Sequence, residues 1–151
     1  MLTGKRTIKF SVPGTPKRKM RVRFGQGRGY THPDTVQYEN LVKLFFQTRC
    51  PNWKPADGAV VLDTIAYFPI PKSKPAWWRE MCSNGDMPFL KSPDYDNVSK
   101  IVADALNGVA YVDDKQIFDG RSREFYSERP RLNVTLTFYN PIKKPVALKR
   151  T

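Results

Sequence analysis

Four segments predict short strands from their pattern of polar and apolar residues. Residues 7–12 alternate and are followed by Pro13 and Gly14, which is typical of a half-buried strand that ends in a turn. Residues 59–68 are rich in Val, Ile and Tyr and end at Pro69. Two further strand-like stretches lie near residues 117–126 and 132–139. We therefore expect a small sheet built from distant parts of the chain.

Apolar residues at three- and four-residue spacing predict two main helices. The first has Asp34 as its N-cap and runs to about residue 49. Its apolar stripe consists of Tyr38, Leu41, Val42 and Phe45. The second spans about residues 97–106 and ends at the C-cap signal Asn107-Gly108. This order of elements favours an α+β fold, a single compact domain with a small mixed sheet and two main helices.

The length of 151 residues predicts one domain, because domains typically have about 100–200 residues. We assign residues 1–140 to it and residues 141–151 to a basic C-terminal tail. Residues 69–93 form a long proline-rich loop that contains Trp77 and Trp78. Loops of this length inside a compact domain are usually functional or mobile.

The strong positive charge predicts a polyanionic partner. The chain has 26 Lys and Arg against 14 Asp and Glu, a net charge of +12. Nucleic acid and an anionic membrane surface both fit this charge, but no apolar run approaches the roughly 20 residues of a membrane span. No basic amphipathic helix is found either, which favours nucleic acid. Two cysteines and one histidine argue against a disulfide framework or a zinc site, and no secretory signal is visible, so we expect a cytoplasmic protein.

The basic residues of the N-terminal part are the first candidates for DNA binding. They lie in a glycine-rich loop and comprise Lys17, Arg18, Lys19, Arg21, Arg23 and Arg28. The alternative is a solvated, mobile loop. A second basic patch, offset by two glutamates, comprises Arg121, Arg123, Arg129 and Arg131. Trp77, Trp78 and Phe89 would either stack on unpaired bases or fix the 69–93 loop to the core.

The acidic residues cluster between positions 94 and 114, in a chain that is otherwise strongly basic. Asp94 and Asp96 face one point if the segment is extended, and Lys100 lies one helical turn further on. The turn after Gly108 can return Asp113 or Asp114 to the same end of the helix. Carboxylates held close together repel unless a cation lies between them, and oxygen ligands alone favour Mg²⁺ or Mn²⁺.

Each of these residues also has a purely structural interpretation. Asp96 can be only an N-cap, and Asp94 an ordinary solvated acid. Lys100 can be a solvated residue paired with Asp96 or Asp104, and we expect Asp104 to have Lys100 as its partner. The pair Asp113-Asp114 can simply be turn residues.

The whole segment closely resembles the RusA family of Holliday junction resolvases. The resemblance rests on Asp94-Tyr-Asp96-Asn97-x-x-Lys100, Asp104-Ala-Leu-Asn-Gly and Tyr111-Val-Asp113-Asp114-x-Gln116-Ile. It implies a RusA-like α+β fold and a homodimeric, Mg²⁺-dependent endonuclease that cuts paired strands of four-way DNA junctions. It further implies that Asp94, Asp96 and Asp114 are metal ligands and that Lys100 is the essential catalytic lysine. Asn97 and Asp113 would support these residues without binding the ion.

Two other functions stay open. A noncatalytic DNA-binding protein would use the basic charge alone, with the acids as caps and turns. A nuclease of the same scaffold could act on other branched DNA, such as flaps or forks, because dimer shape sets substrate geometry. The long 69–93 segment departs from what we expect of compact family members, and a bacteriophage source is consistent with the resemblance.

Overall fold

The computed structural model describes residues 1–20, 23–25, 28–92 and 94–146. Its strands are β1 (Arg6–Pro13), β2 (Arg23–Gly25), β3 (Arg28–Tyr30), β4 (Val60–Pro69), β5 (Ile117–Ser127) and β6 (Arg131–Phe138). Its helices are α1 (Pro33–Arg49), α2 (Ala76–Cys82) and α3 (Asn97–Ala105), and a 3₁₀ turn covers Asp114–Gln116. Within the described ranges, no helix is long and apolar enough to span a membrane.

Four strands form one mixed sheet in the order β1-β6-β4-β5. Strand β6 pairs antiparallel with β1 and β4, whereas β4 and β5 are parallel. Parallel neighbours require a crossover connection, since a tight turn cannot bring the chain back to the same end of the sheet. The residues between β4 and β5 provide that connection, and they contain α2, α3 and all of the acidic motif.

Helices α1 and α3 cover one face of the sheet. Strand β6 alternates strictly between buried and half-buried residues, and its buried side chains pack into the core. Helix α3 contributes Val98, Ile101 and Val102, all almost fully buried, and α1 contributes Val42 and Phe46. The apolar face of α3 is thus fixed against the sheet, which directs its polar face toward solvent.

The predicted α+β fold with a mixed sheet is confirmed, with additions. The structure has a third helix, α2, within residues 69–93, and a β2–β3 hairpin in the glycine-rich loop. The N-cap of α1 is His32 and not Asp34, because the helix already begins at Pro33. The His32 ring nitrogen accepts a hydrogen bond from the Asp34 backbone N–H at 3.1 Å. The boundary between domain and tail at residue 140 stays a prediction.

Candidate metal and nucleic-acid site

Asp96 occupies the N-cap position of α3, but its side chain does not cap the helix. No capping hydrogen bond is made by its carboxylate. Instead, one carboxylate oxygen lies 3.6 Å from the Nζ atom of Lys100, one turn along the helix, and both side chains are partly exposed. An N-cap aspartate normally accepts a bond from the second or third backbone N–H of the helix. Asp96 therefore does not make the capping hydrogen bond that its interpretation as an N-cap requires.

The loop that carries Asp94 is anchored to the sheet through its backbone. The Ser122 hydroxyl on β5 donates a 2.7 Å hydrogen bond to the Tyr95 carbonyl. The Asn97 N–H donates to the Asp94 carbonyl at 3.2 Å. The side chain of Asp94 is exposed, and Tyr95 is 75% exposed. A fixed backbone thus presents these two side chains to solvent beside Asp96.

Asp113 has a clear structural role. Its carboxylate accepts a hydrogen bond from the Lys115 N–H at 2.9 Å, and its own N–H donates to the Gln116 side chain at 2.9 Å. These reciprocal bonds form a capping box at the 3₁₀ turn. Gln116 also donates to the carbonyls of Ala56 and Gly58, which ties the turn to the segment before β4. Asp113 therefore fixes the backbone at Asp114.

Asp114 is half-buried beside other acids. Burial raises the pKa of its carboxyl above the ordinary value, and a hydrogen bond with Asp113 and the negative charges of Asp113 and Asp104 raise it further. The charge of Lys19 acts in the opposite direction. Like charges in this arrangement are stabilised by an added cation.

Asp104 has a different partner from the one the sequence predicts. The Lys19 ammonium, and not that of Lys100, forms its ion pair. The reason is that residues before β2 run along α3, where the Lys19 N–H donates to the Asn97 carbonyl at 3.4 Å. Glu39 on α1 lies nearby, and its pKa is raised by burial and by the charge of Asp104. The sequence assigned Lys19 to DNA binding and Asp104 to Lys100, and did not indicate that both lie near Asp114, although Asp96, Lys100 and Asp104 share a four-residue spacing that places them on one stripe of α3.

The candidate residues form two groups at opposite ends of α3. Asp94, Asp96 and Lys100 lie toward its start, whereas Asp104 and Asp114 lie around its end; the backbone of Lys19 contacts Asn97 at the start, and its ammonium reaches Asp104. Eight residues of helix separate the Cα atoms of Asp96 and Asp104 by about 12 Å. Across the described chain, no three His, Cys, Asp or Glu side chains are close enough to hold one ion. The donors are all carboxylates, which suits Mg²⁺ or Mn²⁺, and the ligand set Asp94, Asp96 and Asp114 stays a prediction.

The predicted DNA-binding loop is only partly described. Lys17 is exposed, Arg18 is half-buried beside aromatic rings, and Lys19 is paired with Asp104. Arg21 lies outside the described residues. Arg23 and Arg28 fall in the β2–β3 hairpin, and their side chains lie outside the description as well.

The aromatic residues of the 69–93 segment have two different roles. Phe89 stacks on Phe68 with ring centroids 4.2 Å apart, and Trp78 meets Tyr126 edge to face at 5.1 Å. Both rings therefore fix the segment to the sheet. Trp77, by contrast, is 64% exposed.

In the second basic patch, two arginines are engaged locally. Arg123 bonds Asp63 at 3.1 Å, and the Arg131 guanidinium lies 3.9 Å from the centre of the Tyr67 ring. Their charge is partly neutralised or held against an aromatic face, so this patch has less free charge to offer to phosphates than its sequence indicates.

Comparison with known proteins gives the family of this chain. The family model described as "Endodeoxyribonuclease RusA" matches residues 13–137. A relative from Bacillus subtilis (strain 168), described as "Uncharacterized protein YqaN", is 33% identical over 134 residues, which covers 85% of this chain and 94% of the relative. The matched region contains β4, β5 and all of β6 except Phe138, but only Pro13 of β1, together with every candidate site residue. The chain belongs to the RusA endodeoxyribonuclease family.

Proposed function

We propose that this protein is a Mg²⁺-dependent endonuclease that resolves four-way DNA junctions by paired, symmetric nicks. Family membership supports an endodeoxyribonuclease that depends on a divalent metal and acts on branched DNA. The observation that carries the proposal is the Asp96 carboxylate, which makes no capping bond to α3. It lies beside Lys100 and next to the exposed Asp94. A carboxylate that neither caps its helix nor is buried is available for chemistry.

Asp94, Asp96 and Asp114 would hold the ion, with Mn²⁺ as a substitute for Mg²⁺. Their oxygen atoms are the ligands that these ions prefer. When bound, such an ion polarises a phosphoryl oxygen and makes water a stronger nucleophile at neutral pH. The cation would also relieve the repulsion of Asp114 by Asp104 and Asp113. Asp113 keeps the Asp114 backbone in place through the capping box.

Lys100 supplies the positive charge at the start of α3. Its ammonium lies 3.6 Å from the Asp96 carboxylate, and a phosphate held by an ion on Asp96 would lie close to it. An ammonium here stabilises the negative charge that develops on the phosphate oxygens during attack by water. The 3′ oxygen leaves, and the product is a 5′-phosphate at a nick that can be ligated. Asn97, at the first position of α3, supports the loop through its N–H bond to the Asp94 carbonyl.

Paired cleavage requires two identical sites related by a two-fold axis. A symmetric homodimer provides them, since each protomer presents the same surface to one of two equivalent strands. The net charge of +12 would concentrate junction DNA on this dimer through release of counterions. We place this activity in the cytoplasm of a bacterium, with the bacterial chromosome or a bacteriophage as the source.

The test compares a synthetic four-way junction with a linear duplex of the same sequence. Each is incubated with Mg²⁺ or with EDTA, using the wild-type protein and Asp96→Asn. Symmetric nicks on the junction alone, absent in EDTA and in the variant, are the expected result. Tight binding without cleavage in Mg²⁺ or Mn²⁺ would make the protein a DNA-binding module, and cleavage of flaps or forks as well would widen its substrate class.

A further inference from the structure

A pocket lies between the basic loop after β1 and the end of the 69–93 segment. We call it the Arg18 pocket, and it is lined chiefly by Lys17, Arg18, Phe68, Phe89, Lys91 and Tyr126. Its volume is about 310 Å³, at the lower end of the roughly 300–1,000 Å³ of small-molecule sites. It is thus large enough for one flat ring system and too small for a helix of a protein partner.

The walls of the pocket are aromatic and its charged groups are all basic. Phe68, Phe89 and Tyr126 pack against one another with centroids 4.2 and 5.0 Å apart, so the aromatic wall is rigid. Lys17, Arg18 and Lys91 line the pocket, and no acidic side chain does so. Aromatic rings combined with Lys and Arg are the features that proteins use to bind single-stranded nucleic acid.

Arg18 provides an independent indication of a ligand. Its guanidinium carbon lies 5.1 Å from the ring centres of both Phe68 and Phe89. Its Nε atom is buried and has no hydrogen-bond partner among the described residues, and its charge acts on the Glu124 carboxylate, which likewise has a buried oxygen without a partner. A buried N–H group without an acceptor is destabilising, so this position favours a ligand that brings one. The edge of a nucleobase carries oxygen and ring-nitrogen acceptors.

Both segments that form the pocket continue directly into the candidate metal site. Lys17 and Arg18 precede Lys19, which contacts Asp104. Lys91 precedes Asp94 by three residues, which span at most about 11 Å of chain. The Phe89 N–H donates to the Glu124 carbonyl at 3.0 Å, and the Ser92 hydroxyl donates to the Glu124 carboxylate at 2.6 Å, so this segment is fixed on β5. A nucleotide in the pocket would therefore lie close to the strand that is cut.

We propose that the Arg18 pocket receives one unpaired nucleobase of the junction, next to the phosphate that is cleaved. The base stacks on the aromatic wall and accepts a hydrogen bond from Arg18, while Lys17 and Lys91 contact its phosphates. This rests on the proposed function, because it assigns a specificity subsite to the same nuclease. It gives the protein a way to distinguish a branch point, where bases become unpaired, from a continuous duplex.

The test uses 2-aminopurine, a base whose fluorescence reports stacking, placed in turn at each branch-point nucleotide. Binding is measured in EDTA, so that no strand is cut. Thr15 lines the pocket and is exposed, so Thr15→Trp fills the pocket without disturbing the core. We expect the fluorescence to change at one position with the wild-type protein and not with Thr15→Trp. No response at any position, or an equal response in the variant, would overturn the proposal.

A second measurement does not depend on Thr15→Trp being folded. An abasic nucleotide at the responding position removes the base, and we expect it to weaken wild-type binding about 5- to 150-fold, the range for loss of one stacked base. Lys91→Ala should weaken junction binding more than Lys9→Ala, a matched control on β1 that is exposed and does not line the pocket. Equal binding of the intact and abasic junctions, or equal effects of the two lysine variants, would contradict the subsite.

Cleavage in Mg²⁺ separates this inference from the proposed function. If the wild-type protein cuts the junction but no 2-aminopurine responds, the subsite is wrong and the nuclease stands. If a base responds but neither Mg²⁺ nor Mn²⁺ supports cleavage, the nuclease proposal is wrong and the pocket is a base-binding site of a DNA-binding protein.

Discussion

Two aspartates in N-cap positions, Asp96 and Asp113, should differ in the property that substitution impairs. Asp113 makes a complete capping box, whereas the side chain of Asp96 makes no capping bond and faces Lys100. We therefore expect Asp113→Ala to reduce stability and Asp96→Asn to reduce cleavage. Because both residues are acids at the start of a helical segment, each serves as the control for the other.

The expected magnitudes follow from these contacts. Loss of an N-cap side chain costs about 1 kcal/mol, and for a chain of 151 residues 1 kcal/mol lowers Tm by about 2–4 °C. Asp96→Asn loses only a partly exposed ion pair with Lys100, which is worth about 0.3–0.5 kcal/mol. The Tm of Asp96→Asn should thus stay within about 2 °C of wild type.

The assay combines thermal unfolding with single-turnover cleavage of a four-way junction. Asp96→Asn should reduce the cleavage rate at least about a hundredfold, the lower end of the effect of removing one charge-stabilising group. Its junction affinity in EDTA should be equal to or higher than that of the wild type, because a negative charge near the phosphate is lost. Asp113→Asn should recover the stability that Asp113→Ala loses, since asparagine caps as well as aspartate. A stable Asp96→Asn with wild-type cleavage would refute the assignment of Asp96 to the reaction.

Three further predictions concern the charged residues. Lys100→Ala should abolish cleavage yet keep the rise in Tm that Mg²⁺ gives, as measured by thermal unfolding. Cleavage at the wild-type rate would show that Lys100 takes no part in the reaction. Asp114→Asn should raise Tm without metal at neutral pH, because a carboxyl whose pKa is raised by folding destabilises the fold once it is ionised. The same variant should lose the rise in Tm with Mg²⁺, and an unchanged rise would remove Asp114 from the ligand set. Lys17→Ala should reduce the magnitude of the slope of log junction affinity against log salt concentration by about 1 relative to Lys9→Ala, as measured by gel shift. Equal slopes in the two variants would show that Lys17 does not contact a phosphate.

Local periodicity was enough to predict the elements that build the core. The three–four spacing of Val98, Ile101, Val102 and Ala105 predicted α3, and these residues are indeed buried. The alternation along β6 likewise matches its alternating burial. In both cases one face of the element packs on the core, so the pattern in the sequence has a direct physical cause.

Helix α2 and the pairing of Lys19 with Asp104 could not be predicted in this way. Helix α2 has seven residues and one fully buried side chain, Cys82, too few for a periodic pattern. Lys19 and Asp104 are 85 positions apart, and their contact depends on the path of the basic loop along α3. Lys100 was ambiguous from sequence because Asp96 and Asp104 are each one turn away. In the structure Lys19 forms the ion pair with Asp104, and Lys100 pairs with Asp96.

The ion pairs of these two lysines predict that DNA and metal bind cooperatively. Lys19 and Lys100 each neutralise one carboxylate of the site, at Asp104 and Asp96. A phosphate that attracts either ammonium releases a carboxylate for a cation, and a cation that takes the carboxylate releases an ammonium for phosphate. The coupling must be reciprocal, because each ligand changes the affinity of the other by the same factor.

The cooperativity can be measured without cleavage by using Ca²⁺, which also binds carboxylate oxygens. We expect Ca²⁺ to tighten binding of the four-way junction by the wild-type protein relative to NaCl of equal ionic strength. Screening alone would weaken binding, since both salts reduce attraction between Lys or Arg and phosphate. In Lys100→Ala no ammonium is left for Ca²⁺ to release from Asp96, so the gain from Ca²⁺ should shrink, whereas Lys9→Ala should keep the full gain. If Ca²⁺ and NaCl weakened wild-type binding equally, the lysines would not link the two ligands, and the pairs Lys19–Asp104 and Lys100–Asp96 would be structural contacts only.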